Sequence, residues 1–153
     1  MRLRPATAVD EPLLRAVYAS TRAEELAVTD WSDEQKAAFC DHQFTAQAAH
    51  YRQHYPTAEY SIVERDGAAI GRLYVDRWPR EIRIMDIALL PEHRGRGIGT
   101  RLLRELQDEA RAAGKALSIH VEKFNPALRL YERLGFKFKE DKEVYVLMEW
   151  VAV

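Results

Sequence analysis

Three of the seven glycines in this 153-residue chain, Gly95, Gly97 and Gly99, fall within five residues of one another. They lie in the stretch Leu89-Leu90-Pro91-Glu92-His93-Arg94-Gly95-Arg96-Gly97-Ile98-Gly99-Thr100, between an apolar run of strand type and a segment of helical period. Glycine leaves main-chain N–H groups unhindered, and the first turn of a helix carries unpaired amides and a positive dipole end. Together they suit a pyrophosphate held without a metal. Arg94, Arg96, Arg101 and Arg104 add positive charge against Glu92 alone. Two other phosphate-binding patterns fail here. GxxxxGKS/T is absent, with no lysine after the glycines to reach a terminal phosphate, and the single-residue spacing of the glycines breaks GxGxxG. A nucleotide-binding enzyme of another class is therefore the weaker reading of this loop.

Two further side chains could move protons. His120 sits in an alternating strand with Ser118 on one face and Leu117, Ile119 and Val121 on the other. A pKa near 6.5 suits an imidazole to general-base work. Asp86 is a charge inside the apolar run Ile84-Met85-Asp86-Ile87-Ala88-Leu89-Leu90. A carboxylate there must be paired, hydrated or functional: a base, an orienting partner for His120, or an anchor for a substrate amine. No metal site is expected, because His50 and His54 stand one helical turn apart without a third ligand and read as polar-face residues. Cys40, the single cysteine, reads as a buried thiol.

The elements that must position these residues follow from hydrophobic period and punctuation. Arg2-Leu3-Arg4 alternates as a short strand, a helix opens near Thr7-Ala8-Val9-Asp10, and Ser32-Asp33-Glu34 opens a second helix that Pro56 ends. Cys40, Phe44, Ala48, Tyr51 and Tyr55 form its apolar stripe, and most of the aromatics between Trp31 and Tyr60 are expected in the core. Asp66-Gly67 between Tyr60–Val63 and Ala69–Val75 is a hairpin signal, and a third strand spans about Glu81 to Leu90. A helix from Gly97 to Ala113 presents Ile98, Leu102, Leu106, Ala110 and Ala113 on one face and stops at Gly114. A strand over Leu117–Val121, a short helix over Pro126–Leu134, and strands near Phe136–Phe138 and Val144–Met148 complete the order β-α-α-β-β-β-α-β-α-β-β. That is an α/β fold, a three-layer mixed sheet flanked by helices, in one domain over residues 1–153. Hydrophobic residues at 47% can fill such a core, and a net charge of −1 supplies no global field for nucleic acid or an anionic membrane. One cysteine and no apolar N-terminal stretch favour the cytoplasm, and no apolar run is long enough for a membrane span.

Arg94-Gly95-Arg96-Gly97-Ile98-Gly99 resembles the Q/R-x-x-G-x-G/A signature of the GNAT superfamily of N-acetyltransferases, preceded by a similar strand end, Ala88-Leu89-Leu90-Pro91. Downstream, Asn125-Pro126-Ala127-Leu128-Arg129-Leu130-Tyr131-Glu132-Arg133-Leu134-Gly135-Phe136 resembles the superfamily segment ending in Tyr-x-x-x-Gly-Phe, with Asn125 one residue closer to Tyr131 than in many members. The resemblance implies an acyltransferase that moves an acetyl group from acetyl-CoA to a primary amine of a small molecule or peptide by direct attack. It puts the pyrophosphate on the main chain of Arg94, Gly95, Arg96, Gly97, Ile98, Gly99 and Thr100, and the pantetheine arm along Ile87, Ala88 and Leu89 and against Asn125. It places Tyr131 as the acid for the leaving thiolate, the Leu89 N–H near the thioester oxygen and His120 as a base, and it makes a homodimer a common assembly. A module that binds CoA without catalysis is the other reading. Trp78-Pro79, Tyr145 and Met148 are further candidates for lining the acceptor pocket.

Overall fold

The computed structural model describes residues 1–153, and its elements begin and end where local chemistry directs. Strand β1 (Arg2–Pro5) leads through a 3-10 turn into helix α1 (Glu11–Ala27). The Asp10 carboxylate accepts from Thr7 N at 2.8 Å at that entry. Helix α2 (Asp33–His54) opens with a reciprocal cap: Gln35 N donates to Ser32 Oγ at 3.1 Å and Ser32 N to Gln35 Oε1 at 2.8 Å. Strands β2 (Glu59–Arg65) and β3 (Ala68–Arg77) are joined by the two-residue turn Asp66-Gly67, with φ of 53° and 80°. β4 (Glu81–Leu89), α3 (Ile98–Ala113), β5 (Ala116–Glu122), α4 (Leu128–Arg133), β6 (Lys137–Lys142) and β7 (Tyr145–Trp150) follow. The seven strands form one mixed sheet in the order β1-β2-β3-β4-β5-β7-β6, flanked by helices as expected.

The chain divides into two compact units. The first comprises Met1–Leu73 and Ile87–Arg94. In it β1 pairs antiparallel with β2, Leu3 opposite Val63, and α1 packs on α2. Val17, Tyr18, Phe44, Ile62, Val63 and Ile70 are buried, with Tyr18 edge-on to Phe44. Arg4 grips buried Asp10 through both Nη atoms, at 2.8 and 2.9 Å, and Glu64 through Nε at 2.8 Å. Those hydrogen bonds hold the Asp10 carboxyl down at about 2.

The second unit comprises Tyr74–Asp86 and Gly95–Val153. There β5 lies parallel to β4 and antiparallel to β7, and β7 pairs antiparallel with β6. The parallel ladder runs from Glu81↔Ala116 to Ile84↔Ile119 and goes no further. Ile98, Leu102, Leu106 and Ala110 of α3 are buried with Leu117, Ile119 and Val121 of β5, as the period predicts, while Ala113 at the last turn is exposed.

Some sequence expectations shift. In the α2 stripe only Cys40 and Phe44 are buried; Ala48 and Tyr51 are half-buried and Tyr55 lies beyond the helix end. Nor are most aromatics of this region core. Trp31 is 40% exposed, and Tyr51, Tyr55 and Tyr60 are half-buried, with the Tyr60 hydroxyl donating to the main-chain oxygens of Tyr55 at 2.9 Å and Tyr51 at 3.2 Å. Helix α4 starts at Leu128 rather than Pro126, because Asn125 Oδ1 takes the Ala127 amide at 2.9 Å and forms a side-chain turn first.

Candidate active site

The glycine loop begins with a 3-10 turn, Pro91–His93. In the first unit Arg94 Nε donates to Leu89 O at 3.0 Å and Nη2 to Ser20 Oγ at 3.1 Å, so this guanidinium ties down the strand end instead of standing free over the loop. In the second unit Gly95 and Gly97 adopt φ of 73° and 80°, the left-handed region that costs other residues roughly 1–2 kcal/mol. A Cβ at Gly95, Gly97 or Gly99 would meet nothing within 4 Å, so the backbone faces open space. Gly97 is the N-cap of α3 and has no side chain to cap it, and the first intrahelical bond runs from Arg101 N to Gly97 O. The amides of Ile98, Gly99 and Thr100 are thus left for another acceptor. A bare helix end of this kind, with exposed Arg96 and Arg104 nearby in sequence, fits a diphosphate.

The strand end before the loop is shaped by a residue the sequence reading passed over. A Cβ on Gly71 in β3 would lie 2.3 Å from Ala88 O and 2.8 Å from a Leu89 side-chain atom. Only glycine admits the main chain of Ile87, Ala88 and Leu89 this close, and Leu90 N then bonds Ile70 O at 2.8 Å. An isolated glycine inside a strand pattern was the available signal.

Tyr131 lies in α4 and is 5% exposed. The spacing Tyr-x-x-x-Gly-Phe around it is a helix C-cap: Gly135 has φ of 94°, its N–H bonds Glu132 O at 3.0 Å, and Phe136 N bonds Tyr131 O at 3.0 Å. The apolar contact that accompanies such caps is Phe136 on the Tyr131 ring, edge-on with centroids 5.8 Å apart. Buried Gln107 donates to Leu134 O at 2.8 Å and fixes the same helix end from α3. Burial, with the Asp86 charge adding to it, holds the phenol pKa well above its ordinary value, so the hydroxyl keeps its proton. Asn125 Oδ1 accepts from Ala127 N, and the exposed side chain keeps its amide NH2 and the oxygen's second lone pair for another partner.

Arg83 is opposite Ser118 and Ile84 opposite Ile119, so alternation along β5 puts His120 on the face of Ser118 and Arg83. The contact on His120 comes from Arg83, whose Nη1 lies 3.2 Å from His120 Nδ1. Arg83 also donates from Nε to Ser118 Oγ at 2.7 Å and from Nη2 to Glu81 Oε2 at 2.9 Å, stacks 5.0 Å from the Trp78 ring, and Ser118 Oγ donates to Glu81 Oε2. Desolvation would raise Glu81, but the Ser118 and Arg83 hydrogen bonds outweigh it and hold its pKa down. The sequence held a sign of this cluster, since Glu81 and Arg83 are charges in phase at the start of an apolar strand.

The remaining candidates are dispersed. Met148 lines an apolar groove of about 420 Å³ with Leu128, Phe136 and Phe138, and Tyr145 is exposed. His50 and His54 are exposed on α2 with rings 4.4 Å apart. Cys40 is buried, and desolvation pushes its thiol up.

Comparison with known proteins agrees with this geometry. The sequence model of the acetyltransferase (GNAT) family matches residues 21–136. Streptothricin acetyltransferase of Streptomyces lavendulae is 39% identical over 75 residues, 48% of this chain and 40% of that protein. N-alpha-acetyltransferase RimI of Mycobacterium tuberculosis is 35% identical over 86 residues, 54% of each chain. The matched stretch spans about half or less of these relatives. The fold is that of PaiA N-acetyltransferase from Thermoplasma acidophilum, solved in complex with coenzyme A: TM-score 0.74, 18% identity, covering 99% of this chain and 98% of the other.

Proposed function

The chain belongs to the acetyltransferase (GNAT) family, and from that premise we propose that it transfers an acetyl group from acetyl-CoA to a primary amine by direct attack, residues 1–153 acting as one N-acetyltransferase domain. The observation that carries the reading is the uncapped, glycine-lined start of α3. Main-chain amides from Gly95, Arg96, Gly97, Ile98, Gly99 and Thr100 hold the diphosphate, with Arg94, whose own N–H donates to Pro91 O at 3.2 Å, opening the loop, and Ile87, Ala88 and Leu89 take the pantetheine arm with the Asn125 amide. Acetyl-CoA supplies an acyl carbon already activated as a thioester. The Leu89 N–H serves as a fixed donor where negative charge develops on the thioester oxygen. Tyr131, kept protonated by burial, gives its proton to the departing sulfur.

An alkyl amine with a pKa of about 10.4 must lose a proton before it attacks. Asp86 and ordered water have lone pairs for it, whereas His120 Nδ1 already accepts from Arg83. The acceptor is an amine-bearing small molecule or peptide; a net charge of −1 gives no support to a nucleic-acid or membrane partner. No helix is long and apolar enough to cross a membrane, and a lone buried thiol supports work in the reducing cytoplasm. Homodimer assembly is carried over from the family resemblance and is open to sedimentation analysis.

Thiol release from acetyl-CoA over a panel of amines tests the proposal. Amine-dependent release is expected for at least one class. Coenzyme binding with no amine ever acetylated would leave a CoA-binding module instead, and no binding at all would remove the cofactor assignment.

A further inference from the structure

The Arg83 cluster has a chemical consequence for His120. A guanidinium carries five N–H donors and no acceptor, so a contact of 3.2 Å from Nη1 to Nδ1 requires a lone pair on Nδ1. A neutral imidazole with its lone pair at Nδ1 carries its proton at Nε2. Neither nitrogen then has a lone pair to offer a substrate. Arg83 is poorly placed to swing aside, because the same guanidinium bonds Ser118 and Glu81 and lies over Trp78, and Ser118 is 1% exposed.

We infer that Arg83 is a positioning residue that holds His120 as the Nε2–H tautomer, so that His120 meets the amine-bearing substrate as a hydrogen-bond donor and not as its base. The role in substrate contact rests on the acetyltransferase reading; the tautomer does not. Arg83 and Glu81 face the imidazole from β4, Lys142 and Glu140 from β6, and in β7 Glu149, opposite Ser118, is bound to Lys139 at 2.7 Å. Desolvation leads in keeping the ring uncharged, Arg83 and Lys142 reinforce it, and Glu81 and Glu140 oppose it with less effect. The proton of the attacking amine then leaves by another route.

The test is a long-range 1H–15N correlation spectrum of the full chain labelled with 15N-histidine, recorded between about pH 6 and 8, where histidine ordinarily titrates. Of the five histidines, His120 is assigned by the signal lost in His120→Gln. A pyridine-type Nδ1 and a pyrrole-type Nε2 are expected, and in Arg83→Met a mixture of tautomers with protonation moved up toward about pH 6.5. A pyrrole-type Nδ1 in the unaltered protein would overturn the inference whether or not Arg83→Met folds. So would an unchanged tautomer and titration in a folded Arg83→Met protein. With an active enzyme the second readout is rescue: a donor role predicts that His120→Gln retains about tenfold more kcat/KM than His120→Ala, roughly one hydrogen bond. Equal losses in the two would refute it. The spectrum needs no turnover, so a failed acetyl transfer leaves the tautomer assignment standing.

Discussion

Tyr131 packs a helix end, and the proposed function gives the same side chain a proton to deliver. Its ring closes the C-cap of α4 against Phe136, and the burial that this requires keeps the phenol protonated. Removing only the hydroxyl separates the two duties. Tyr131→Phe is expected to lower kcat by about 10²-fold, the lower range for a lost general acid, while thermal midpoint and coenzyme binding change little. Steady-state kinetics beside a melting curve checks both. Because the phenol titrates far above its ordinary value, kcat in the unaltered protein is expected to show no alkaline limb from Tyr131 up to about pH 10, the usual range for tyrosine. The residue was legible from Tyr-x-x-x-Gly-Phe because that spacing is a local device, each contact closing within a few positions of the chain. His120 was legible as a polar residue on a strand, but not its hydrogen-bonding state, since its partner Arg83 lies 37 residues away.

Among the elements, β3 and α3 owe their form to missing side chains. Gly97 starts a helix that nothing caps, and Gly71 lets the end of β4 approach β3. Gly71→Ala would drive a methyl into Ala88 O, a backbone atom that cannot rotate away. It is expected to cost about 1–3 kcal/mol of stability, the usual range for overpacking. It should also lower kcat more than coenzyme affinity, by tenfold or more, as a displacement near 1 Å can cost on the order of 10² in rate. Denaturant melts and kcat measured at saturating acetyl-CoA decide between a displaced strand end and a merely weakened fold. Element order and the hairpin at Asp66-Gly67 were readable because period and punctuation are local signals. The α2 stripe misled for the same reason. Period reports which residues share a helix face, not how much of that face a neighbour covers.

For the whole chain, charge near neutrality means that any anionic coenzyme is met by local groups, and a ligand of the folded state must raise its stability. Coenzyme A is expected to raise the melting temperature, with about 2.7 kcal/mol gained at a hundredfold excess over Kd, while ATP and NADH lacking a pantetheine arm give less. A thermal-shift series in which NADH matches coenzyme A would point to a dinucleotide site instead. From the residues in order alone came the family, the succession of strands and helices, the glycine-rich start of α3 and the helix end that carries Tyr131, because each is written in signals between near neighbours. Only the folded chain revealed Gly71 under Ala88, the bond from Ser118 to Glu81 and the hold of Arg83 on His120. Those depend on which strands lie side by side and in what register, and register is set by the packing of distant segments rather than by any short run of residues.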